Sequence, residues 1–482
     1  MATGFTGRKA ELAFLGERLE KARASGGGVA VAITGRHQVG KSRLVQEFCD
    51  DAGVPYLYYT AAKGAPPGEA VRHFLARLRE SALAAGAGAA AVPAQAASGW
   101  PGAFRALAGA LPESPSVVVL DDFPWLAEQD SLLDGALQAA WDRLLSQRPV
   151  LLLLLGSDPR MTGRLTAPER PLCDLADTLV LPPLNPAEVG AALSLGAADA
   201  IDAHLISGGL PGILRAWPAG LPARHFAEGE CQDPASPLFA VPEATLVAEF
   251  PAPDASRRVI EAIGGGSRTH AAVAAAAGGG TAAIPSGALS PLLSQLIAEK
   301  RALAVDEPLS TRGGKPALYR VADSSLRFYL EIGRAAQEWA RRGRPASGAA
   351  LVRRRWASWR ARTVEPVIRQ ALSHAADDLP WPGAVAVGGW WARTLEAAID
   401  LVGADRSPGA RSVFYAGSII WLSRPFDDRD LAMLARNAPF VPGFDPRATG
   451  LVAVSLGGFS PVAAERLTVR WGAEEVVAAY PA

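Results

Sequence analysis

Val29-Ala30-Val31-Ala32-Ile33-Thr34-Gly35-Arg36-His37-Gln38-Val39-Gly40-Lys41-Ser42 decides the first domain. An apolar, β-branched run ends in Gly-x-x-x-x-Gly-Lys-Ser, and Arg43-Leu44-Val45-Gln46-Glu47-Phe48 follows with helical spacing. Strand, glycine-rich loop and helix in that order make a phosphate loop. Gly35 and Gly40 let the backbone turn inward, so that the N–H groups of Arg36, His37, Gln38 and Val39 face an anion. Lys41 is expected to bridge the outer phosphates, the Ser42 hydroxyl to ligate Mg²⁺, and the helix start at Lys41–Arg43 to add its positive dipole end. A glycine turn matching the pattern by chance is the bland alternative. Against it, one of only six lysines stands at the required position behind a strand.

A second block, Ser116-Val117-Val118-Val119-Leu120-Asp121-Asp122-Phe123-Pro124-Trp125-Leu126, runs apolar residues into two acids. That pattern predicts a buried parallel strand with carboxylates at its C-terminal edge, where ligands bind in open α/β sheets. Asp121 would hold Mg²⁺ through water, and Asp122 would orient or deprotonate an attacking water. A third strand, Pro149 to Gly156, leads to Ser157, which stands either near the γ-phosphate or in an ordinary turn. Val54–Thr60 and Thr178–Leu181 supply two more strands, and Gln129 to Gln147 reads as one helix. Strands alternating with helices predict a doubly wound parallel sheet. Upstream, a helix with Leu12, Leu15 and Leu19 on one stripe either packs on the sheet or lines an adenine pocket. Ser81 to Gly99, rich in Ala, Gly and Pro, is expected to be a loose surface insertion.

With 482 residues the chain should hold several domains, and 49% hydrophobic with 20% charged residues describe a folded chain. Net charge is zero, so overall charge favours no partner. Cys49, Cys173 and Cys231 lie far apart, which fits a reducing cytoplasm and no metal motif. The longest apolar runs are too short for a bilayer, and Met1–Phe5 opens no signal-peptide core. Arginine outnumbers lysine 42 to 6, a ratio attributed to base-composition bias.

Asn185-Pro186-Ala187-Glu188 signals a helix start, and Ser207-Gly208-Gly209-Leu210-Pro211-Gly212 breaks the helical region it opens. Three short helices (Ala255 to Ile263, Thr269 to Ala277, Ser286 to Glu299) precede two strands, Ala302 to Val305 and Ala317 to Val321. This is a winged helix-turn-helix pattern, but its second-half helix has almost no basic residues with which to read a major groove. From Arg312 to Arg369 there are fourteen basic residues and four acids, 14 − 4 = +10. Arg341 to Arg362, with Trp356 and Trp359 interleaved, suits phosphate contacts and base stacking, or else a solvated helix face.

Phe5-Thr6-Gly7-Arg8-x-x-Glu11-Leu12, the Gly35–Ser42 loop, Leu120–Leu126, Gly156-Ser157 and Gly208-Gly209-Leu210-Pro211 together resemble the archaeal-type P-loop ATPases of the AAA+/STAND-like branch. The resemblance implies ATP and Mg²⁺ as cofactors and a five-stranded sheet with the Gly156 strand between the two nucleotide-site strands. It also implies a lid shaped by Gly209 and Pro211. Five segments follow from it: an ATPase core over 1–184, a helical lid over 185–250, a winged helix over 251–325, basic linker helices over 326–362 and a restriction-nuclease-like α/β domain over 363–482. The family's Leu-Tyr-Gly-Arg segment is replaced by Leu172-Cys173-Asp174-Leu175, so a charge-stabilising arginine is missing there; Arg164 and Arg170 are candidate substitutes. In the last domain the resemblance implies a helical Glu, an Ile-Asp strand end and then Gly-Glu-Cys-Lys-Trp. Glu365 and Ile399-Asp400 are present, but Gly417-Ser418-Ile419-Ile420-Trp421 lacks both the second acid and the lysine, so the nuclease motif is degenerate.

The catalytic candidates are Lys41, Asp122 and Ser157. Gly35 through Arg43 would bind nucleotide, and Ser42 and Asp121 the metal. Two other functions compete with Mg²⁺-dependent ATP hydrolysis: a non-hydrolysing ATP-gated switch, and an active DNA endonuclease that Ser418 and Ile420 disfavour. DNA is a candidate partner through Arg341–Arg362, alongside a protein partner or further copies of the chain.

Overall fold

The computed structural model describes residues 7–87, 99–156, 176–250, 254–278, 283–312 and 316–481. The chain forms two compact units, Met1–Pro183 and Leu184–Ala482.

In the first unit α1 (Lys9–Ser25) precedes β1 (Val29–Thr34), α2 (Lys41–Asp51) and β2 (Tyr56–Thr60). Next come α3 (Pro67–Glu80), α4 (Ala82–Ala87), α5 (Gly99–Ala110) and β3 (Ser116–Asp121). The unit continues with α6 (Phe123–Gln129), α7 (Leu133–Arg143), β4 (Val150–Gly156) and β5 (Ala176–Val180). The strands form one parallel sheet in the order β2-β3-β4-β1-β5. Every residue of β1, β3 and β4 is buried because helices cover both faces. Successive strand side chains alternate between those faces. Val29, Val31, Ile33, Val117, Val119, Leu151, Leu153 and Leu155 pack with Leu15, Leu19, Leu44, Val45 and Phe48 of α1 and α2. Ala30, Val118, Leu120, Leu152 and Leu154 pack with α3, α5 and α7 through Phe74, Phe104 and Trp141. The doubly wound sheet expected from the sequence is the one observed, with β4 between β1 and β3.

Two local expectations change. Ser81–Gly99 is not wholly loose: α4 occupies Ala82–Ala87, where alanines favour helix and Leu83 is buried, while residues 88–98 lie outside those described. The run from Gln129 to Gln147 is not one helix either. Asp130 caps the end of α6 at an extended φ, and α7 spans only Leu133–Arg143.

In the second unit, helix Pro186–Leu193 starts where Asn185 and Glu188 form a reciprocal capping box. Helix Ala197–Ser207 stops at Gly208 and Gly209, both in the left-handed region (φ +62° and +66°). Helices Ala255–Gly264, His270–Ala277 and Ser286–Ala298 precede an antiparallel pair, β6 (Leu303–Asp306) and β7 (Leu318–Val321). Long helix Pro345–Thr363 and helix Glu365–His374 lead to a mixed five-stranded sheet. Its strands are β8 (Ala386–Trp391), β9 (Ala398–Ala404), β10 (Val413–Ile420), β11 (Gly450–Ser455) and β12 (Val469–Trp471), in the order β12-β11-β10-β9-β8. β8, β9 and β10 are antiparallel neighbours, and β10, β11 and β12 are parallel. One core runs from Leu184 through Phe239, Ile260, Leu293, Trp359 and Trp421 to Tyr480, so these helices and this sheet fold around shared apolar contacts. Among the described residues no single helix is long and apolar enough to cross a membrane.

A Cβ on Gly209 would lie 2.0 Å from Leu184 O, whereas one on Gly220 (φ +74°) would meet nothing within 4 Å. Gly220→Ala is expected to cost only the left-handed penalty, about 1 kcal/mol in urea unfolding. Gly209→Ala must also displace the Leu184 backbone and should cost clearly more, roughly 3 kcal/mol or above. Equal losses would show that the turn yields freely.

Candidate nucleotide site

The turn between β1 and α2 is shaped by contacts that exclude side chains. A Cβ on Gly35 would stand 2.6 Å from Leu181 O, and Leu181 N donates to Thr34 O (2.7 Å), so β5 clamps the end of β1. Gln38 and Gly40 adopt left-handed φ of +64° and +99°. Val39 anchors the loop by burying its side chain in the core, and its N–H donates to Arg36 O at 3.3 Å. The Val39 amide is therefore engaged within the loop, unlike the free inward donor the motif predicts. Helix α2 begins with no capping side chain and no acid in its first turn, which leaves its N-terminal N–H groups and positive dipole end unneutralised. Ser42 is exposed in that first turn.

Lys41 is buried, and its ammonium donates to Gly35 O (3.0 Å) and Arg36 O (2.9 Å). Burial lowers its pKa to about 8, opposed by the charges of Asp121 and Asp122. A cation held by neutral carbonyls in a closed pocket is matched to an incoming anion. Arg43, expected at the phosphates, pairs instead with Glu47 on the exposed side of α2 (2.8 Å). Helical geometry dictates this, since i and i+4 share a face. Gln38 Oε1 is buried without a hydrogen-bond partner.

Asp121 ends β3 and is buried; Asp122 follows with φ +53°. Asp121 Oδ1 accepts from Asp122 N (2.9 Å), and Oδ2 accepts from the Tyr58 hydroxyl (2.9 Å). The Asp122 pKa is raised, first by burial and then by Asp121, with Lys41 and His37 opposing. The pKa of His37 is lowered by desolvation and by Lys41, while Asp122 acts the other way. Lys41, His37, Asp121 and Asp122 thus sense one another electrostatically at one sheet edge. Ser157, Arg164, Arg170 and Leu175 lie outside the described residues. Tyr58 was not singled out from the sequence; the register that pairs it with Val119 and puts it on the Asp121 face of the sheet exists only in the fold. Upstream, the buried Arg8 guanidinium bonds to Glu11 (3.0 Å) and reaches Pro182 O and Val39 O, so that segment braces the loop. These features fit a nucleotide: bare glycine turns, an uncapped helix start, a carbonyl-held lysine, and a hydroxyl and carboxylate suited to a hard cation.

The second unit disposes of two expectations. Trp356 and Trp359 are buried in the core, Trp359 against Phe328, so neither ring can stack on a base. Five of the eight arginines between 341 and 362 pair with acids: Arg341 with Glu243, Arg342 with Glu338, Arg353 with Glu228, Arg360 with Asp202 and Arg362 with Glu331. Three of those acids, Asp202, Glu228 and Glu243, lie about a hundred residues or more upstream, so a count over Arg312 to Arg369 could not find them. Glu365 and Asp400 are also partnered from within the fold. Arg369 binds Glu365 (3.0 Å) and the Asp400 main-chain oxygen (2.8 Å), while the Asp400 carboxylate accepts from Ser418 Oγ and Ile419 N (both 2.9 Å). Burial raises the Glu365 pKa despite Arg369. Among the described residues no group of three or more His, Cys, Asp or Glu is placed to hold a metal ion.

Because the folded pKa of Lys41 lies below its unfolded value, the unfolded chain binds more protons between pH 8 and about 10.5. Nucleotide-free protein should therefore gain stability from Lys41 as pH rises through that window, and Lys41→Met should remove that gain in paired urea titrations. Separately, Arg360→Ala strands the Asp202 carboxylate, held at 2.8 Å by Arg360 and also by Trp421 (3.3 Å). It should cost about 3–5 kcal/mol, with much of the loss recovered in Arg360→Met/Asp202→Leu.

A family model described as the AAA ATPase domain matches residues 4–153. No curated protein matches the chain significantly. Among solved structures, the chain is similar to a Walker-type ATPase of Pyrococcus abyssi at 16% identity and a TM-score of 0.48, over 68% of this chain and 96% of that one. It is also similar to the Aeropyrum pernix ORC2 protein in its ADPNP–ADP complexes (14%, 0.44, 70% and 95%) and to the A. pernix ORC1 protein in complex with DNA (16%, 0.34, 71% and 94%). Such distant likenesses describe resemblance of shape alone. The span matched by the AAA ATPase domain model, residues 4–153, contains the glycine loop and both acids.

Proposed function

We propose that the chain binds ATP with Mg²⁺ at the β1–α2 loop and hydrolyses it. The observation that supports this reading is the carbonyl-held, buried Lys41 beneath an uncapped helix start, with Asp121 and Asp122 at the end of β3. Backbone amides of the loop bind the phosphates, and Lys41 exchanges its two carbonyl partners for phosphate oxygens. Ser42 and Asp121 hold the cation, which when bound offsets phosphate charge. Asp122, whose raised proton affinity brings it nearer the working pH of a base, receives the proton of the attacking water as the water oxygen bonds to the γ-phosphorus and ADP leaves. Ser157 contacts the γ-phosphate in this reading.

In the second unit we read the three helices with β6–β7 as a winged helix and the β8–β12 sheet as a degenerate nuclease fold. The pairing of Glu365 with Arg369 and the hydrogen bonds from Ser418 and Ile419 to the Asp400 carboxylate support the loss of cleavage. A nucleic-acid contact falls to Arg344, Arg354 and Arg355, without tryptophan stacking. The buried free thiols of Cys49 and Cys231 suit a reducing cytoplasm.

Calorimetry with Mg²⁺ should detect ATP uptake that Lys41→Ala abolishes. Asp122→Asn should retain ATP while turnover drops roughly 10²-fold or more. No uptake by folded wild-type protein would overturn the reading. Uptake without turnover in the wild type would move it to the ATP-gated switch, the reading favoured by Leu172–Leu175 replacing the arginine segment.

A further inference from the structure

β2 is the outer strand of the first sheet, and no motif assigned it a role. Its register pairs Tyr58 with Val119 and Thr60 with Asp121, so Tyr58 shares the face of β3 that carries Val117, Val119 and Asp121. α2 packs on that same face. From there the Tyr58 hydroxyl reaches two groups: Asp121 Oδ2 at 2.9 Å and the Ser42 main-chain oxygen at 3.3 Å. One phenol thereby touches both residues expected to hold the cation. A phenol has a single proton, and the shorter, charged acceptor takes it.

The Asp121 carboxylate is consequently held at both oxygens, by Asp122 N on Oδ1 and by Tyr58 on Oδ2. Each oxygen keeps a further lone pair, and the two fixed hydrogen bonds set the plane in which those lone pairs point. Without the phenol, the bond from the adjacent backbone amide is the one hydrogen bond left on the carboxylate among the described residues. Groups that orient a metal-binding carboxylate affect metal affinity strongly although they never touch the ion.

We propose that Tyr58 is a positioning residue for the cation site: it holds Asp121 in the orientation that receives Mg²⁺ beside Ser42, and so sets the magnesium dependence of nucleotide binding rather than the affinity for nucleotide itself. This inference rests on the ATP-binding reading above. Tyr56 provides a control on the same strand, because its hydroxyl bonds to Asp50 (2.9 Å), outside the site.

The experiment is calorimetric titration of ADP into wild-type, Tyr58→Phe and Tyr56→Phe protein, in EDTA and across a range of Mg²⁺ concentrations. Thermal melts verify that each variant folds; Phe keeps the ring that packs against the core on the α2 side of the sheet. For Tyr58→Phe, ADP affinity in EDTA should match the wild type, while the Mg²⁺ concentration for half-maximal enhancement rises roughly 10- to 100-fold. Tyr56→Phe should behave as wild type in both arms. In an Asp121→Asn background, Tyr58→Phe should add nothing further, which a packing defect would not reproduce. A Tyr58→Phe magnesium curve superimposed on the wild type overturns the inference while leaving nucleotide binding intact, as does an equal shift in Tyr56→Phe. A wild-type protein that takes up no ADP in either arm overturns the ATP-binding reading itself and this inference with it.

Discussion

At the end of β1 the main chain passes so near Leu181 that even a methyl group on Gly35 would stand 2.6 Å from its carbonyl oxygen. That approach, reinforced by Leu181 N donating to Thr34 O, holds the glycine turn before any ligand arrives. The remaining geometry follows from it. Gly35 and Arg36 turn their carbonyls to Lys41, the ammonium is drawn beneath the loop, and α2 starts with its amides bare. A loop shaped in advance binds an anion without a large ordering cost at the moment of binding. Burying a lysine on neutral partners is unfavourable by itself, and the downward shift of its pKa expresses that cost. An incoming phosphate relieves it.

The parallel sheet supplies the second requirement, which is convergence. With β4 inserted between β1 and β3, the glycine turn and the Asp121–Asp122 pair emerge at the same edge, separated by one strand. Strands packed about 4.8 Å apart leave a crevice there roughly two spacings wide. The edge strand β2 closes it from the side through Tyr58, a contact that links Asp121 and the Ser42 main chain across the α2 face. Both faces of this sheet are sealed by helices, which removes water from the base of the crevice and strengthens the interactions among Lys41, Asp121 and Asp122.

In the second unit, charge is a structural material. Asp306 receives both Arg268 (3.0 Å) and Arg320 (3.1 Å), Glu261 receives Arg257 and Arg334, and Asp202 receives Arg360. Exposed pairs of this kind contribute little each, but the buried Asp202–Arg360 pair enforces one arrangement of helix Ala197–Ser207 against helix Pro345–Thr363, since separating them would strand two charges. Much of the +10 surplus between Arg312 and Arg369 is accordingly consumed inside the fold. Arginine clusters of this density lose their meaning as nucleic-acid signals once their partners arrive from distant segments such as Glu228 and Glu243.

What the sequence determined by itself was everything carried by short-range pattern. The phosphate loop, the acid-ended strand, the continuous apolar runs of a two-faced parallel sheet, and helix starts such as Asn185–Glu188 all depend on residues within a few positions of one another, and all stand where the pattern put them. Even the alternation that sends Val31 to one face and Ala30 to the other is local. Tertiary structure alone decided which groups meet across the chain. Trp356 and Trp359 went into the core, Arg360 met Asp202, and Tyr58 reached Asp121 63 positions away. Linear spacing encodes periodicity and turn chemistry, but a hydrogen bond or ion pair across a sheet depends on register and burial, which exist only after the strands have paired.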